Sequence, residues 1–215
     1  RSGSMNDNDP ELLAGIEAMM NALPPAGWRL NMTSASPPQA RNDALFPLVP
    51  GDDIIDALNL WNNVALGHWE QGFEATQAYI DDNPYAASWM RDDAALLVVF
   101  VSDEEEQSPN VNVAQFIQWY ASLRPSVFLG SVVHIPNSSL CNPGLLNMGD
   151  KYIEATDHFG GAVIDICSDD WSTGVQDASA QVEPHQEWPL TYLPLEDTII
   201  VFVGFAEFTD WTYNS

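Results

Sequence analysis

Hydrophobic positions near the start of the chain recur with the period of a helix. Residues 9–11 (Asp-Pro-Glu) combine a capping residue, a proline at the first helical position and an acid in the first turn, which predicts a helix start. Apolar residues then recur at helical spacing through Leu23, and the prolines at 24–25 end the helix. Residues 28–34 (WRLNMTS) place alternate apolar side chains on one face, which predicts a short strand.

The next part of the chain is polar before it becomes strongly apolar. Residues 35–53 are rich in Pro, Asn and Asp and predict a loop, whereas residues 54–61 and 70–80 predict helices. Residues 95–101 (ALLVVFV) are continuously apolar, which is typical of a strand buried on both faces of a parallel sheet. This predicted strand ends abruptly at residues 102–106 (SDEEE).

Helices and strands alternate through most of the remaining chain. The predicted elements are helix 111–123, strand 127–135, helix 149–159, strand 162–167 and helix 171–182. The alternation predicts an α/β fold with a doubly wound, mainly parallel sheet and helices on both faces. A Pro-rich stretch then precedes a predicted C-terminal β-hairpin, formed by residues 198–203 and 207–213. We therefore divide the chain into a domain of residues 1–183 and an extension of residues 184–215.

The charge balance restricts the partners of this domain. Six Lys and Arg residues against 31 Asp and Glu residues give a formal net charge of −25. Such a surface repels phosphate, which disfavours direct binding of DNA or RNA. Solubility in a saline medium explains the charge as well as a role in binding does. No apolar run approaches the roughly 20 residues that a membrane span requires.

The chain contains two cysteines, Cys141 and Cys167. Two thiols cannot form a four-thiolate zinc site, and their spacing is not that of a zinc or redox motif. One interpretation is a disulfide that closes a loop of about 26 residues, which stabilises the fold by roughly 3 kcal/mol and implies an oxidising or extracellular setting. The other interpretation is two buried free thiols.

Two polar segments are expected to meet at one edge of the predicted sheet. Ligands of open α/β sheets bind outside the carboxyl ends of the strands. Residues 102–104 directly follow the most apolar strand, and residues 1–5 (RSGSM) lie just before the first helix. A carboxylate that faces two hydroxyl groups offers hard oxygen ligands, which suit Mg²⁺, Ca²⁺ or Mn²⁺.

These segments resemble parts of von Willebrand factor type A domains. Residues 2–5 (SGSM) resemble the end of the Asp-x-Ser-Gly-Ser-Met motif, which forms the metal-ion-dependent adhesion site of that family. Residues 97–108 (LVVFVSDEEEQS) resemble the fourth-strand segment of a bacterial subgroup, and weaker likenesses occur at residues 69–73 and 162–171. The likeness covers about residues 2–182. The leading aspartate of the motif and the first central strand would precede Arg1 and are missing from this sequence.

The resemblance implies a set of metal ligands. Ser2 and Ser4 would bind the cation through their hydroxyl groups, and Asp103 would bind it directly or through a water molecule. The family offers a threonine in its third loop, but the matching residues 67–70 (GHWE) contain none. Glu70 or a water molecule would take that position.

Further roles follow from the same resemblance. His68, Trp69 and Glu104 would form the rim that contacts the ligand, and Cys167 would pair with Cys141. The implied function is that of a secreted, cell-surface or virion-surface binding and adhesion module, not an enzyme. Its protein or glycan ligand would supply an acidic group that completes the coordination of the cation.

Several alternatives remain open at this point. Residues 1–4 are also what an expression-vector remnant before Met5 would look like. Asp103 would serve equally as a helix N-cap, and residues 104–106 are interpreted as a solvated acidic turn rather than as ligands. A metal-dependent hydrolase would use His68 and Glu70 beside Asp103.

A purely structural role is the main alternative function. In that case the chain is an assembly domain, for example of a virion or surface complex, with a degenerate metal site. A sheet that lacks its central strand exposes unpaired backbone groups on the neighbouring strands. A neighbouring chain or another segment of the polypeptide is therefore expected to supply that strand.

Overall fold

A computed structural model describes residues 9–23, 27–140 and 148–180, together with the backbone of residues 201–203 and 206–208. Helices dominate this part of the chain. They are α1 (Asp9–Ala22), α2 (Pro37–Arg41), α3 (Ile54–Asn63), α4 (Gly72–Asp81), α5 (Ala86–Trp89), α6 (Val113–Leu123), α7 (Asp150–His158) and α8 (Ser172–Ala180). The strands are β1 (Leu96–Ser102), β2 (Val127–Val133), β3 (Val163–Asp165), β4 (Val201–Val203) and β5 (Ala206–Phe208).

The main sheet of the described chain is parallel, with the strand order β1-β2-β3. β1 and β2 pair along their whole length, from Leu96 opposite Val127 to Ser102 opposite Val133. β4 and β5 form a separate antiparallel pair. The predicted α/β class is confirmed. A doubly wound sheet needs strands on both sides of its first strand, and the described strands extend from β1 in one direction only.

Helices pack on both faces of this sheet. The first hydrophobic core joins one face of the sheet to α1, α3 and α8, and it contains Val132 of β2 together with the partly buried Val99 of β1. The second core joins the opposite face to α4, α6 and α7, and it contains Leu129 and Phe100. Successive residues of a strand point to opposite faces, which explains why neighbouring residues of β1 belong to different cores.

Local signals explain where several helices begin. Asp53 caps α3 and Asn112 caps α6, and each forms a reciprocal capping box with the side chain three residues later. α1 begins at Asp9 as predicted, but the Asp9 carboxylate also accepts a hydrogen bond from the indole N–H of Trp61 at 3.0 Å. The start of α1 is thereby tied to α3.

Most of the predicted elements are confirmed, with shifts of a few residues at their ends. The predicted strand at residues 28–34 is wrong, because this segment makes only one isolated bridge, between Leu30 and Leu48. The predicted loop at residues 35–53 contains the short helix α2, which begins with two prolines after Ser36. A strand without a partner strand cannot satisfy its backbone groups, and residues 28–34 have no partner strand within the described chain.

β1 is also less buried than predicted. Only Phe100 and Ser102 of its seven residues are buried, whereas the last five residues of β2 are all buried. Residues 95–101 were expected to be the most buried strand of the sheet, and that expectation is wrong. The cause is a large cavity beside β1, which is described below.

Candidate functional site

The carboxyl end of β1 leads into a tight polar turn. The buried Ser102 hydroxyl accepts a hydrogen bond from the Glu104 N–H at 3.2 Å. The same hydroxyl lies 2.9 Å from the Glu104 carbonyl oxygen and 3.3 Å from Oε2 of Glu70, either of which accepts its single proton. Asp103 is half-buried and lies between these two anchored residues. The turn therefore holds Asp103 at the edge of the sheet.

Glu70 is brought to this edge by the loop before α4. Its side chain is 6% exposed. The Ser36 hydroxyl accepts the N–H groups of His68 at 3.0 Å and Trp69 at 3.1 Å, and the Gln107 N–H donates to the Glu70 carbonyl at 2.7 Å. These bonds fix both sides of the loop, so the Glu70 carboxylate points inward while its two preceding side chains face solvent.

Glu106 is a buried carboxylate that the sequence analysis placed in a solvated acidic turn. That interpretation is wrong for Glu106, which is 1% exposed. Its carboxylate accepts the Phe73 N–H at 2.9 Å and also the Ser108 N–H, and the Ser108 hydroxyl accepts the Glu74 N–H at 3.1 Å. The loop after β1 therefore satisfies the free amides at the start of α4, where a negative charge also interacts favourably with the helix dipole.

Tyr152 of α7 closes the buried side of the site. It is fully buried, packs edge-on against Phe73 and hydrogen-bonds with Glu106. Burial raises the pKa of Tyr152, and the charges of Glu106 and Glu70 raise it further. Burial likewise raises the pKa of Glu106, against the lowering effect of its hydrogen bonds. Gly72 allows this approach, because a Cβ there would lie 2.7 Å from the Tyr152 hydroxyl oxygen.

A second polar group lies at the ends of β2 and β3. His134 Nδ1 is 3.2 Å from Cys167 Sγ, and Asp165 Oδ1 accepts the Cys167 N–H at 3.0 Å. Burial lowers the pKa of His134, while the charges of Asp103 and Asp165 act to raise it. The electrostatic interaction with Asp103 links this group to the turn after β1. Cys167 is disulfide-bonded, and Cys141, its predicted partner, lies outside the described residues.

The predicted site is thus described only in part. Ser2 and Ser4 lie outside the described residues. Asp103 directly follows Ser102, whose hydroxyl lies 3.3 Å from Oε2 of Glu70. Among the predicted rim residues, His68 is exposed, Trp69 is 59% exposed and Glu104 is half-buried. The carboxylates and hydroxyls present have the oxygen chemistry of a hard-cation site. Within the described ranges, however, no group of three or more His, Cys, Asp and Glu side chains is arranged to hold a metal ion.

A cavity of about 1010 Å³ runs along β1, and it was not predicted from the sequence. Glu70, Gly72 and Tyr152 lie in its wall, so it reaches the polar site. Its walls also include residues of α1, α4, α8 and β1, together with residues 27–35, the segment 89–95 that includes Asp93, and Val132 of β2. The signal in the sequence was indirect: the resemblance implied a first central strand that this sequence does not contain.

Comparison with known proteins leaves the chain unassigned. No protein-family model, no curated protein and no solved structure matches it. Across the residues that the structure describes, no helix is long and apolar enough to cross a bilayer.

Proposed function

We propose that this chain is a non-enzymatic binding module that captures an acidic protein or glycan ligand through a divalent cation. The observation that supports the proposal best is the position of Asp103, which follows β1 at the carboxyl edge of a parallel sheet beside Ser102 and the buried Glu70. Ligands of open α/β sheets bind at this edge. Ser2 and Ser4 precede α1 in the sequence and would complete the oxygen ligands for Mg²⁺, Ca²⁺ or Mn²⁺. In this proposal the sheet is doubly wound, with further strands beyond the free edge of β1 and the β4-β5 hairpin as an extension.

The charge of the chain explains why a cation is needed. A surface with a formal charge of −25 repels a ligand that carries a carboxylate. A bound divalent cation is the largest local charge of such a site and reverses this repulsion. The exposed His68 and Trp69 beside Glu70 offer a contact surface around it, and tryptophan is enriched among residues that anchor interfaces. A secreted, cell-surface or virion-surface location, where such cations are abundant, fits this function.

Titration calorimetry with Mg²⁺ and with Ca²⁺ tests the proposal. We expect saturable binding, and Asp103→Asn is expected to weaken it by about tenfold or more, because a carboxylate ligand is replaced by a neutral amide. The matched control is Asp157→Asn, which changes an exposed acid on α7 and is expected to leave the affinity unchanged. Equal losses in both variants would indicate nonspecific attraction of cations to an acidic surface. No binding by the unmodified chain would contradict the proposal.

A structural or assembly domain with a degenerate cation site is the second candidate. The open cavity beside β1 favours it, because a sheet edge of this kind is suited to receive another strand. The two candidates are separable, since strand binding at β1 does not require Asp103. A chain that binds an added strand but no divalent cation would support this second function.

A further inference from the structure

The disulfide-bonded Cys167 lies at the carboxyl edge of the sheet, in contact with a histidine. Cys167 follows the end of β3 by two residues, and His134 directly follows β2. The sheet fixes both positions, because Val133 of β2 lies opposite Asp165 of β3. The His134 carbonyl also accepts the Gly149 N–H at 3.1 Å, just before α7. Backbone pairing therefore holds the ring and the sulfur side by side without the help of the disulfide.

The oxidation state of the sulfur determines which atom donates in this contact. A disulfide sulfur carries no proton, so the hydrogen bond of 3.2 Å between His134 Nδ1 and Cys167 Sγ requires a proton on Nδ1. That proton is present in one neutral tautomer of the ring and also in the imidazolium. In either state the ring offers an N–H donor to the sulfur.

This donor stabilises the reduced form of Cys167 more than the oxidised form. Hydrogen bonds to a charged acceptor are roughly twice as strong as neutral ones, and a thiolate is charged. The contact with His134 therefore becomes stronger when the S–S bond breaks and its electron pair stays on Cys167. A disulfide whose reduced form is stabilised in this way is easier to reduce, and the stabilised sulfur leaves faster.

Asp165 anchors the chain segments that lead to the two cysteines. Its Oδ1 accepts the Cys167 N–H at 3.0 Å, and its Oδ2 accepts the Ser138 hydroxyl. The same hydroxyl accepts the Leu140 N–H at 3.1 Å, one residue before Cys141 in the sequence. None of these bonds involves a sulfur atom, so they do not depend on the disulfide. They favour a reduced chain in which the two segments stay close, which promotes reoxidation.

The charges near the site restrict the thiol that reacts there. Cys167 is half-buried, and the exposed acids at positions 169 and 170 follow it. The charges of Asp103 and Asp165 act on the His134 ring beside it. These four carboxylates, like the formal charge of −25, repel a thiol that carries a further negative charge. They also oppose a thiolate on Cys167, an effect that the N–H of His134 counteracts.

We propose that the disulfide of Cys167 is a thiol–disulfide exchange site, in which the His134 N–H stabilises Cys167 as the departing sulfur. Its substrate is a dithiol that carries no negative charge outside its thiol groups. Cys141 is the only other cysteine of the chain, and in this proposal its sulfur is attacked. The inference does not depend on the proposed cation site.

The exchange has two steps. One thiolate of the dithiol attacks the sulfur of Cys141, the S–S bond breaks, and its electron pair leaves on Cys167 Sγ, which accepts the N–H of His134. The second thiol of the dithiol then loses its proton to solvent and attacks its own sulfur in the mixed disulfide, so that Cys141 leaves as a thiolate. The chain gains two electrons and the dithiol is oxidised to a cyclic disulfide.

Equilibration of the whole chain with mixtures of reduced and oxidised dithiothreitol tests the proposal. His134→Leu removes the donor, whereas His134→Asn keeps an N–H on a side chain of similar reach. We expect the equilibrium constant and the rate of reduction to fall at least about tenfold in His134→Leu and to stay within about threefold in His134→Asn. The control is His158→Leu, which changes an exposed histidine of α7 and should alter neither quantity.

Trapping of the mixed disulfide on the unmodified chain identifies the departing sulfur. After a brief reaction with cysteamine and quenching in acid, mass spectrometry of proteolytic fragments should find the adduct on Cys141 and a free thiol on Cys167. At equal thiolate concentration, cysteamine should react at least about threefold faster than the anionic mercaptopropionate at low salt. The ratio of the two rates should decrease at high salt, because screening weakens the repulsion.

Several results would overturn the proposal. Dithiothreitol might leave the disulfide of the folded chain intact, or His134→Leu might match the unmodified chain in equilibrium constant and rate. An equal loss in His134→Asn, or an adduct on Cys167, would also contradict it, and equal rates for the two thiols would remove the assignment of the substrate. Urea unfolding shows whether each oxidised variant is folded, and the position of the adduct is decisive even if a variant is not.

Discussion

β1 and β2 are neighbouring strands of equal length and similar composition, yet their environments differ. Both have seven residues and they pair with each other throughout. β2 has a strand on each side and its residues from Leu129 to Val133 are buried. β1 has helices over both faces but an open cavity along one edge, and four of its first five positions are only half-buried. The burial of a strand therefore depends on the strands beside its two edges as much as on the helices that cover its faces.

The largest expected difference between the two strands is in stability. Leu129→Ala in β2 should lower the free energy of unfolding by about 2–5 kcal/mol, because it leaves a cavity in a closed core. Leu97→Ala in β1 should lower the free energy of unfolding by at most about 1.5 kcal/mol, because that side chain is only partly buried and already borders a cavity. Urea unfolding measures both values. Equal losses would show that the edge of β1 is covered in solution.

A smaller effect on stability is expected at Glu106, in the loop after β1. Burial raises the pKa of Glu106 in the folded chain, so the folded state holds this proton more tightly than the unfolded state does. The contribution of Glu106 to stability is then fully present below the ordinary carboxyl pKa and is lost as pH rises through the raised pKa, by at most about 1.4 kcal/mol per pH unit. Glu106→Gln keeps an acceptor for the Phe73 N–H and should remove this dependence. Urea unfolding at a series of pH values compares the two chains, and parallel curves would contradict the prediction.

The smallest expected effect is at the end of β2. Burial lowers the pKa of His134, so its contribution to stability is lost as pH falls through the ordinary histidine value, and Asp103 and Asp165 oppose this shift. Asp103→Asn should lower the pKa of His134 further, because one of the two opposing charges is removed. NMR titration of the His134 ring measures the change. Asp157→Asn is the control. If the pKa of His134 is the same in both variants, the charge of Asp103 does not act on His134.

The sequence predicted the elements whose signals are local. Residues 54–61 and 111–123 carry helical periodicity and capping residues, and both form helices. Residues 28–34 carry the pattern of a strand, but a strand depends on a partner, and the pattern does not record whether one is present. For this reason the same method succeeded with β2 and failed with residues 28–34.

The position of Asp103 was predictable from strand order, whereas the burial of Glu106 depends on close packing that the sequence does not show. Asp103 was expected at the edge of the sheet because it directly follows an apolar strand, and it lies there. Glu106 lies in a run of acids that resembles an ordinary solvated turn, and only the start of α4 shows why it is buried. The contact between Gly72 and Tyr152 spans distant parts of the chain, and no local pattern marks it.

The way in which α4 begins has a mechanical consequence. Its first amides are held by Glu106 and Ser108 from the loop that contains Asp103, while Ala75 and Tyr79 on its body form one wall of the cavity. α4 therefore connects the loop that contains Asp103 with the wall of the cavity beside β1. If a ligand at either end shifts the position of α4, thermodynamic linkage requires that it also change the affinity of the other end for its own ligand.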